Sequence, residues 1–372
     1  MKTLNRLTIT LKLVALLVTA AMFHVPPVLA CTSVQLIASD GSVVVARTMD
    51  DNPATMKINV ALTPRGKTIQ STNPDGSTGF SYTTKYSSFG LPVIGSTTPT
   101  DTMNEKGLIL SVQILNASYY ATIVPPEKKL QALSNVDTPL WLISQFATVD
   151  EVKANLNKVA IWTKEQMPFH LVLFDATGKG IVIEWVKDAK SGDSVMNVHD
   201  NKVGVATNDP VFDWQLINLR NYVQTTSVST HEKQFGGLNV TVPNMGNGSF
   251  GVPGDMTAPS RFVRMAVQRN SAKVPANAAE ALSLVSHIIN NADVALGTVK
   301  DASAPNAPYD VTVWTSLRDT KNGAYYVRTS EGFNFFKVDC TQLWDLQKIK
   351  EISLNDLQKS GLSDVTSLLK QP

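Results

Sequence analysis

The sequence predicts an α+β protein in which antiparallel sheets are covered on the outside by helices. Three observations point there. Strand-like runs come in groups, then helical stretches, then strands again, so helices do not alternate singly with strands as a doubly wound parallel sheet requires. Neighbouring runs are joined by short turns such as Asp40-Gly41, the usual connection between antiparallel strands. No internal repeat, low-complexity tract or linker divides residues 31–372, which are therefore read as one domain.

Residues 1–30 stand apart. Lys2, Arg6 and Lys12 make a positive start, and no acidic residue occurs before Asp40. An apolar run from Leu13 to Met22 follows, then Pro26-Pro27, then Val28-Leu29-Ala30 ending on a small residue. This is the order of a secretory signal peptide, and the apolar run is short of the ~20 residues of a membrane span. Cleavage after Ala30 would make Cys31 the first residue of a periplasmic or secreted protein. A small residue before Cys31 also fits a lipoprotein box, in which the α-amine would be acylated. Leu29 is bulkier than that box usually takes.

The remaining elements follow in order. Cys31–Ala38 and Ser42–Thr48 are strands around Asp40-Gly41, and Lys57–Thr63 is another. Residues 64–103 are rich in Gly, Ser, Thr and Pro and read as loops with short strands. Gly107–Leu115 is an apolar strand. Pro139–Asn157 has helical spacing of Leu142, Ile143, Phe146, Ala147 and Val149, with a capping box at Thr148-x-x-Glu151 where the helix breaks and restarts. Phe169–Phe174 and Gly180–Trp185 form a second hairpin. Val203–Ala206 is a strand and Phe212–Val223 a helix. Residues 224–258 read as a long surface loop. Ser260–Arg269 is a helix, and Asn277 caps another that runs to Asn290. Val311–Leu317, Ala324–Thr329 and Phe333–Val338 return to strands.

Composition narrows the class. The 372 residues carry 33 basic and 31 acidic side chains, a net charge of +2. The first thirty residues hold three of the positive charges and none of the negative, so removing them leaves −1. That balance argues against a general nucleic-acid or membrane-surface binder. There are two cysteines, Cys31 and Cys340. Cys340 follows a strand and reads as a structural thiol; a bridge between the two would block a reactive Cys31. No metal-ligand spacing of Cys or His occurs, so neither metal nor cofactor is called for.

A terminal Cys31 would hold a thiol and an α-amine on one residue. The thiol has a pKa of ~8.5, lowered beside cations. The amine titrates near ~8, close enough to neutrality to serve as the base. Such a residue is a nucleophile that needs no histidine.

Several segments taken together resemble the choloylglycine hydrolase family, which includes conjugated bile salt hydrolases and penicillin V acylases. They are Cys31-Thr32-Ser33, Ala46-Arg47-Thr48-Met49-Asp50 and Asn104-Glu105-Lys106-Gly107-Leu108, then Thr207-Asn208-Asp209-Pro210-x-Phe212-Asp213, Pro253-Gly254-Asp255 and Ser260-Arg261-Phe262-Val263-Arg264. They run in family order over most of residues 31–372. The resemblance implies a four-layer αββα sandwich of the N-terminal nucleophile hydrolases and hydrolysis of a linear amide. By the same resemblance, Cys31 matches the nucleophile, Arg47 an arginine that favours thiolate, and Asp50 the aspartate that orients the freed amine. Asn208 matches the donor to the tetrahedral oxyanion, and Arg261 the arginine that closes the network. Asp51 is read as a loop residue and Arg264 as structural. A homotetramer is implied as well.

One position departs from the pattern. Where bile salt hydrolases place an asparagine and some penicillin acylases a tyrosine, this chain has Ile114. Together with the leader, this leans toward the Gram-negative-type branch, for which penicillin V and N-acyl homoserine lactones are the implied substrates beside conjugated bile acids. Trp141 and Trp214 are open between an acyl pocket and the core. A Cys31–His170 dyad is the alternative mechanism. A lipidated, non-catalytic binding protein of the same fold is the alternative function.

Overall fold

The computed structural model describes residues 30–51, 58–92, 99–300 and 308–370. The expected leader, Ala30 excepted, lies outside the described residues, as does the Lys57 end of the expected third strand.

Two antiparallel sheets face each other. The first runs in the order Val205–Ala206, Ala30–Ile37, Val43–Asp51, Tyr309–Asp319, Ala324–Thr329 and Phe336–Asp339, with Val299–Lys300 added beside Tyr309–Asp319. The second runs Ser194–Asp200, Gly180–Lys187, Phe169–Phe174, Ile109–Ile114, Pro99–Asn104, Ser88–Pro92 and Ala61–Thr63. Helices Ala258–Ser271 and Ala278–Ile289 cover the first sheet, and Thr138–Gln145 covers the second. This is the expected αββα sandwich.

Strand alternation builds the layers. In the second sheet Val172, Phe174, Val182 and Ile109 face the first sheet, within a core that includes Val43, Val45 and Trp314. Leu110, Leu171, Leu173 and Ile183 face the other way, onto Leu142, Ile143 and Val152 of the helices. Each such fully buried aliphatic side chain contributes about 1.5–3 kcal/mol. Both faces of the second sheet are therefore largely apolar, and its central strands are hydrophobic runs interrupted by the buried Ser111, Gln113, His170 and Glu184.

Local signals set the element ends. Gly41 has φ +82°, the left-handed conformation that the tight Asp40-Gly41 turn needs. Thr148 caps Val149–Asn155 by accepting from Glu151 N at 3.2 Å, and Glu151 Oε2 accepts from Ala147 N at 2.7 Å. Asn277 Oδ1 caps Ala278–Ile289 by accepting from Glu280 N at 3.1 Å. Such a cap contributes about 1 kcal/mol.

Several expectations are corrected. The short strands expected in residues 64–103 are present as Thr68–Thr72, Thr78–Thr83, Ser88–Pro92 and Pro99–Asn104, and they take up more of the described residues there than the loops do. Their Thr-rich composition suits buried strand positions that hydrogen-bond across the sheet: Thr102 Oγ1 donates to Phe89 O at 2.9 Å. Asp51 ends the Val43–Asp51 strand, opposite Val311, and is not in a loop. Residues 224–258 contain an exposed hairpin, Glu232–Phe235 with Leu238–Thr241. Trp141 belongs to the core, edge-on to Phe80 and Phe146. Trp214 is 42% exposed. Ser194–Asp200 is a strand that the polar run around Asn197 and His199 concealed.

Candidate active site

Cys31 lies near the start of the Ala30–Ile37 strand, opposite Met49. Ser33 opposes Arg47 in the same pairing, so alternation puts Cys31, Ser33, Arg47 and Met49 on the face toward the second sheet. Arg47 Nη2 lies 3.5 Å from Cys31 Sγ and donates to Val112 O of the second sheet at 2.7 Å. Met49 Sδ is 3.4 Å from Cys31 Sγ. Both Cys31 and Arg47 are buried.

Asp50 and Thr32 point to the opposite, helix-covered face. There Arg261, from helix Ala258–Ser271, donates from Nη1 to Cys31 O at 2.7 Å and also to Thr32 Oγ1. Its Nη2 donates to Asn208 Oδ1 at 2.9 Å. Asp255 organises the start of this helix, accepting from Thr257 N at 3.0 Å and from Ser260 Oγ at 2.7 Å. Arg264 instead binds Pro253 O, Asp255 O and Asn291 O, a structural role as expected.

Asn208 joins the two faces. Its Oδ1 accepts from Cys31 N at 2.6 Å, and its Nδ2 donates to Ile114 O at 2.8 Å. With Ala30 still attached, Cys31 N is a peptide nitrogen. The main-chain carbonyl of Ile114 thus serves Asn208, while its side chain packs into the outer apolar cluster.

The five residues singled out from the sequence therefore converge on one place: Arg47 meets the sulfur, Asn208 the nitrogen, Arg261 the carbonyl, and Asp50 the same strand end. Asp50 Oδ1 accepts from Thr312 Oγ1 at 2.6 Å. Its Oδ2 is buried with no hydrogen-bond partner among the described residues. A cleft of about 620 Å³ on this face has Thr312, Asp293 and Arg328 in its wall, and Cys31 does not line it.

Electrostatics refine the expectation for the thiol. Burial pushes it above its ordinary value; Arg47 pulls it back, Asp50 pushes it up and Arg261 lowers it, and the net direction is upward. Arg47 acts in the expected direction but does not outweigh desolvation while the chain is untrimmed. Burial likewise lifts Asp50 to about 7, against the opposing pull of Arg261 and the Thr312 hydrogen bond.

The expected histidine alternative does not assemble. His170 Nδ1 meets Glu184 Oε1 at 3.0 Å and Nε2 meets Thr207 O at 2.9 Å, so both ring nitrogens are engaged away from Cys31. The Asn104–Leu108 segment is architectural: Asn104 Oδ1 accepts from Leu108 N at 3.0 Å, and Nδ2 donates to Ile143 O at 2.7 Å.

Sequence reasoning missed Asp101, Arg318 and Gln113. Asp101 sits between the sheets, ion-paired to Arg47 and Arg318. Gln113 Nε2 donates to Ser33 Oγ at 2.7 Å across the same layer. Asp101 stood among Thr and Pro in a stretch read as loops with short strands, and Arg318 lay just past the expected Val311–Leu317 strand. Only an isolated acid three residues before Asn104 could have drawn attention.

Two facing antiparallel sheets between helices, with a cysteine near the head of a central strand, define the N-terminal nucleophile hydrolase fold. Within it, the chain belongs to the choloylglycine hydrolase family of linear amide C–N hydrolases, which matches residues 31–352. It is an amidohydrolase of the bile salt hydrolase and penicillin V acylase type. It is 31% identical over 322 residues to a bile salt hydrolase/transferase of Clostridium perfringens, covering 83% of this chain and 92% of that protein. It is 30% identical over 270 residues to a penicillin V acylase of Pectobacterium atrosepticum, covering 67% of this chain and 64% of that one. Among solved structures, a variant of the Clostridium perfringens conjugated bile acid hydrolase superposes with a TM-score of 0.74 at 29% identity, over 87% of this chain and 97% of that chain. Penicillin V acylase from Agrobacterium tumefaciens superposes with a TM-score of 0.71 at 26% identity, over 92% and 98%.

Proposed function

We propose that this amidohydrolase is exported, trimmed after Ala30, and acts through a free N-terminal Cys31. One observation carries the reading: the sulfur and the nitrogen of Cys31 are addressed separately, by Arg47 at 3.5 Å and Asn208 at 2.6 Å. Cleavage turns Cys31 N into an amine, and Asp50, whose Oδ2 is buried with no hydrogen-bond partner among the described residues, is the carboxylate proposed to orient it.

Cys31 Sγ attacks the acyl carbonyl carbon and its proton passes to the α-amine. Asn208 has one Nδ2 hydrogen on Ile114 O and keeps the other for the oxyanion. The C–N bond breaks, the leaving amine takes the proton from the α-ammonium, and a thioester remains. Water then attacks the thioester and gives a proton to the α-amine. The C–S bond breaks, the acid departs, and the proton returns to sulfur. Arg47 and Arg261 hold charge and geometry throughout.

Candidate substrates join an apolar acyl group to a small polar amine. The named relatives point to conjugated bile acids and penicillin V, and Ile114 in place of a polar group favours penicillin V and N-acyl homoserine lactones. Assembly as a homotetramer belongs to the same proposal, supported by the exposed Phe235, Leu238 and Val240 of the surface hairpin.

The test is the N-terminal mass of the exported protein, with activity of Cys31→Ala and Cys31→Ser on glycocholate, taurocholate, penicillin V and acyl homoserine lactones. A free Cys31 and loss of at least ~10³-fold in Cys31→Ala are expected. Full activity in Cys31→Ala, or a diacylglyceryl cysteine on the active protein, sinks the proposal; the second outcome with no activity favours a binding lipoprotein.

A further inference from the structure

We infer that Arg318 is a positioning residue for this hydrolysis: by engaging the Asp101 carboxylate, it leaves the charge of Arg47 to the Cys31 sulfur. The inference rests on the reading of Cys31 as nucleophile.

The charges between the sheets are few and can be counted. Arg47, Arg318 and Asp101 are all fully buried. Arg47 Nη1 is 3.5 Å from Asp101 Oδ2. Arg318 Nη1 contacts Asp101 Oδ1 directly and donates to Ser111 Oγ at 3.1 Å. Asp101 Oδ2 also accepts from Ser316 Oγ at 2.6 Å and Trp314 Nε1 at 3.3 Å. Among the described residues Asp101 is the acid paired with Arg318.

Without Arg318, Asp101 and Arg47 would close into a neutral buried pair. A thiolate beside that pair would feel attraction from Arg47 and repulsion from Asp101 in nearly equal measure. With Arg318 present, two guanidiniums face one carboxylate and one positive charge is left over. Cys31 Sγ, 3.5 Å from Arg47 Nη2, is placed to balance it. The geometry agrees: the closer contact of Asp101 is with Arg318, and Arg47 stays turned toward Cys31 and Val112 O. The other titratable groups around the thiol are Asp50 and Arg261 on the helix-covered face and the Cys31 amine itself; Tyr325 donates to Asp101 O at 3.0 Å. None of them cancels Asp101.

A buried charge excess of this kind should show in the thiol's titration and not only in folding. The trimmed enzyme and its Arg318→Met, Arg318→Lys and Arg318→Met/Asp101→Asn variants are alkylated with iodoacetamide across pH 5–10. The Cys31 peptide is followed by mass spectrometry, which keeps Cys340 out of the reading. Arg318→Met should move the alkylation profile up by about one pH unit, a roughly tenfold loss of thiolate at neutral pH, and lower kcat about tenfold with KM changed less than about threefold. Arg318→Lys should recover most of both. Removing the pair together, as Arg318→Met/Asp101→Asn, should return the profile toward the parent, because the charge excess is restored.

An unshifted profile in folded Arg318→Met overturns the inference. If Arg318→Met does not fold, the charge-balanced double variant decides: a parent-like profile supports the inference and an upward shift overturns it. Cys31→Ala is assayed alongside. Retained hydrolysis there would fail the nucleophile reading, whereas the alkylation profiles report the charge on Cys31 in either case.

Discussion

Thr312 and Asp50 face each other across neighbouring antiparallel strands, and the hydroxyl donates to Asp50 Oδ1 at 2.6 Å. Thr312 Oγ1 in turn accepts from Val294 N at 2.8 Å, so the hydroxyl is held from both sides. One carboxylate oxygen is thereby fixed, and the other is buried without a hydrogen-bond partner among the described residues. The pair leaves one buried acceptor on the residue that faces Ala30 across the strands.

That geometry makes trimming a stability event. In the untrimmed chain Asp50 titrates at about 7, against an ordinary value of 3.8, with burial as the chief cause. Between those values the folded state holds a proton that the unfolded state has lost, so stability falls as pH rises. The α-ammonium that the proposed trimming would bring to Asp50 would remove this penalty. The form that keeps residues 1–30 should therefore match the Cys31-first form near pH 4–5 and melt lower at pH 7–8. Thermal unfolding of both forms across this range checks it; a gap that does not widen with pH would contradict the role given to Asp50.

Asn208 ties the nitrogen of Cys31 to the Ile114 carbonyl, and its Nδ2 is the proposed oxyanion donor. Removing an oxyanion donor typically costs 10²–10³ in kcat, about 3–4 kcal/mol. Asn208→Ala should lose activity on that scale with KM changed by much less. Stopped-flow kinetics on the preferred amide will show whether the loss lies in thioester formation. A variant with kcat within threefold of the parent would remove Asn208 from the oxyanion site.

Glu184 supports the segment that carries Asn208. Its Oε1 accepts from Phe212 N at 3.0 Å and faces His170, whose other nitrogen meets Thr207 O. Burial would raise this carboxyl, but the His170 and His199 contacts outweigh it and hold it at about 2. A carboxyl depressed in the fold contributes stability above its unfolded value, and that stability is lost as pH falls toward 2. Glu184→Gln should therefore be less stable at pH 7 and flatten the acid-unfolding profile between pH 4.5 and 2. Equal slopes for the two proteins in urea titrations over that range would refute this.

The hairpin Glu232–Phe235 with Leu238–Thr241 is exposed along both strands, with Phe235 and Leu238 59% and 65% accessible. Large apolar side chains so exposed mark an interaction surface. For the proposed homotetramer, Phe235→Ser/Leu238→Ser should give smaller species than the parent in analytical ultracentrifugation while leaving the fold intact. An unchanged sedimentation coefficient would place the tetramer contacts elsewhere.

Much of the fold was legible because its signals are local. The Asp40-Gly41 turn, the Thr148 and Asn277 caps and the apolar runs Phe169–Phe174 and Gly180–Lys187 each depend on residues close in sequence. The stretch 64–103 misled because Thr and Ser suit both loops and buried strands, and only pairing decides between them. Residues Arg47, Asp50, Asn208 and Arg261 were named through their family resemblance, and the structure brings them around Cys31.

By itself the sequence determined the apolar strands, the turns and the capped helices whose signals are local, and it marked Cys31 as the residue that trimming after Ala30 would expose. The tertiary structure decided which charges meet that residue. Arg318 is 217 residues from Asp101, and Asp101 lies on the other sheet from Arg47, so no periodicity or spacing links the three. Their juxtaposition exists only once two sheets close on each other and exclude water, and the same closure makes a single unbalanced charge large enough to matter.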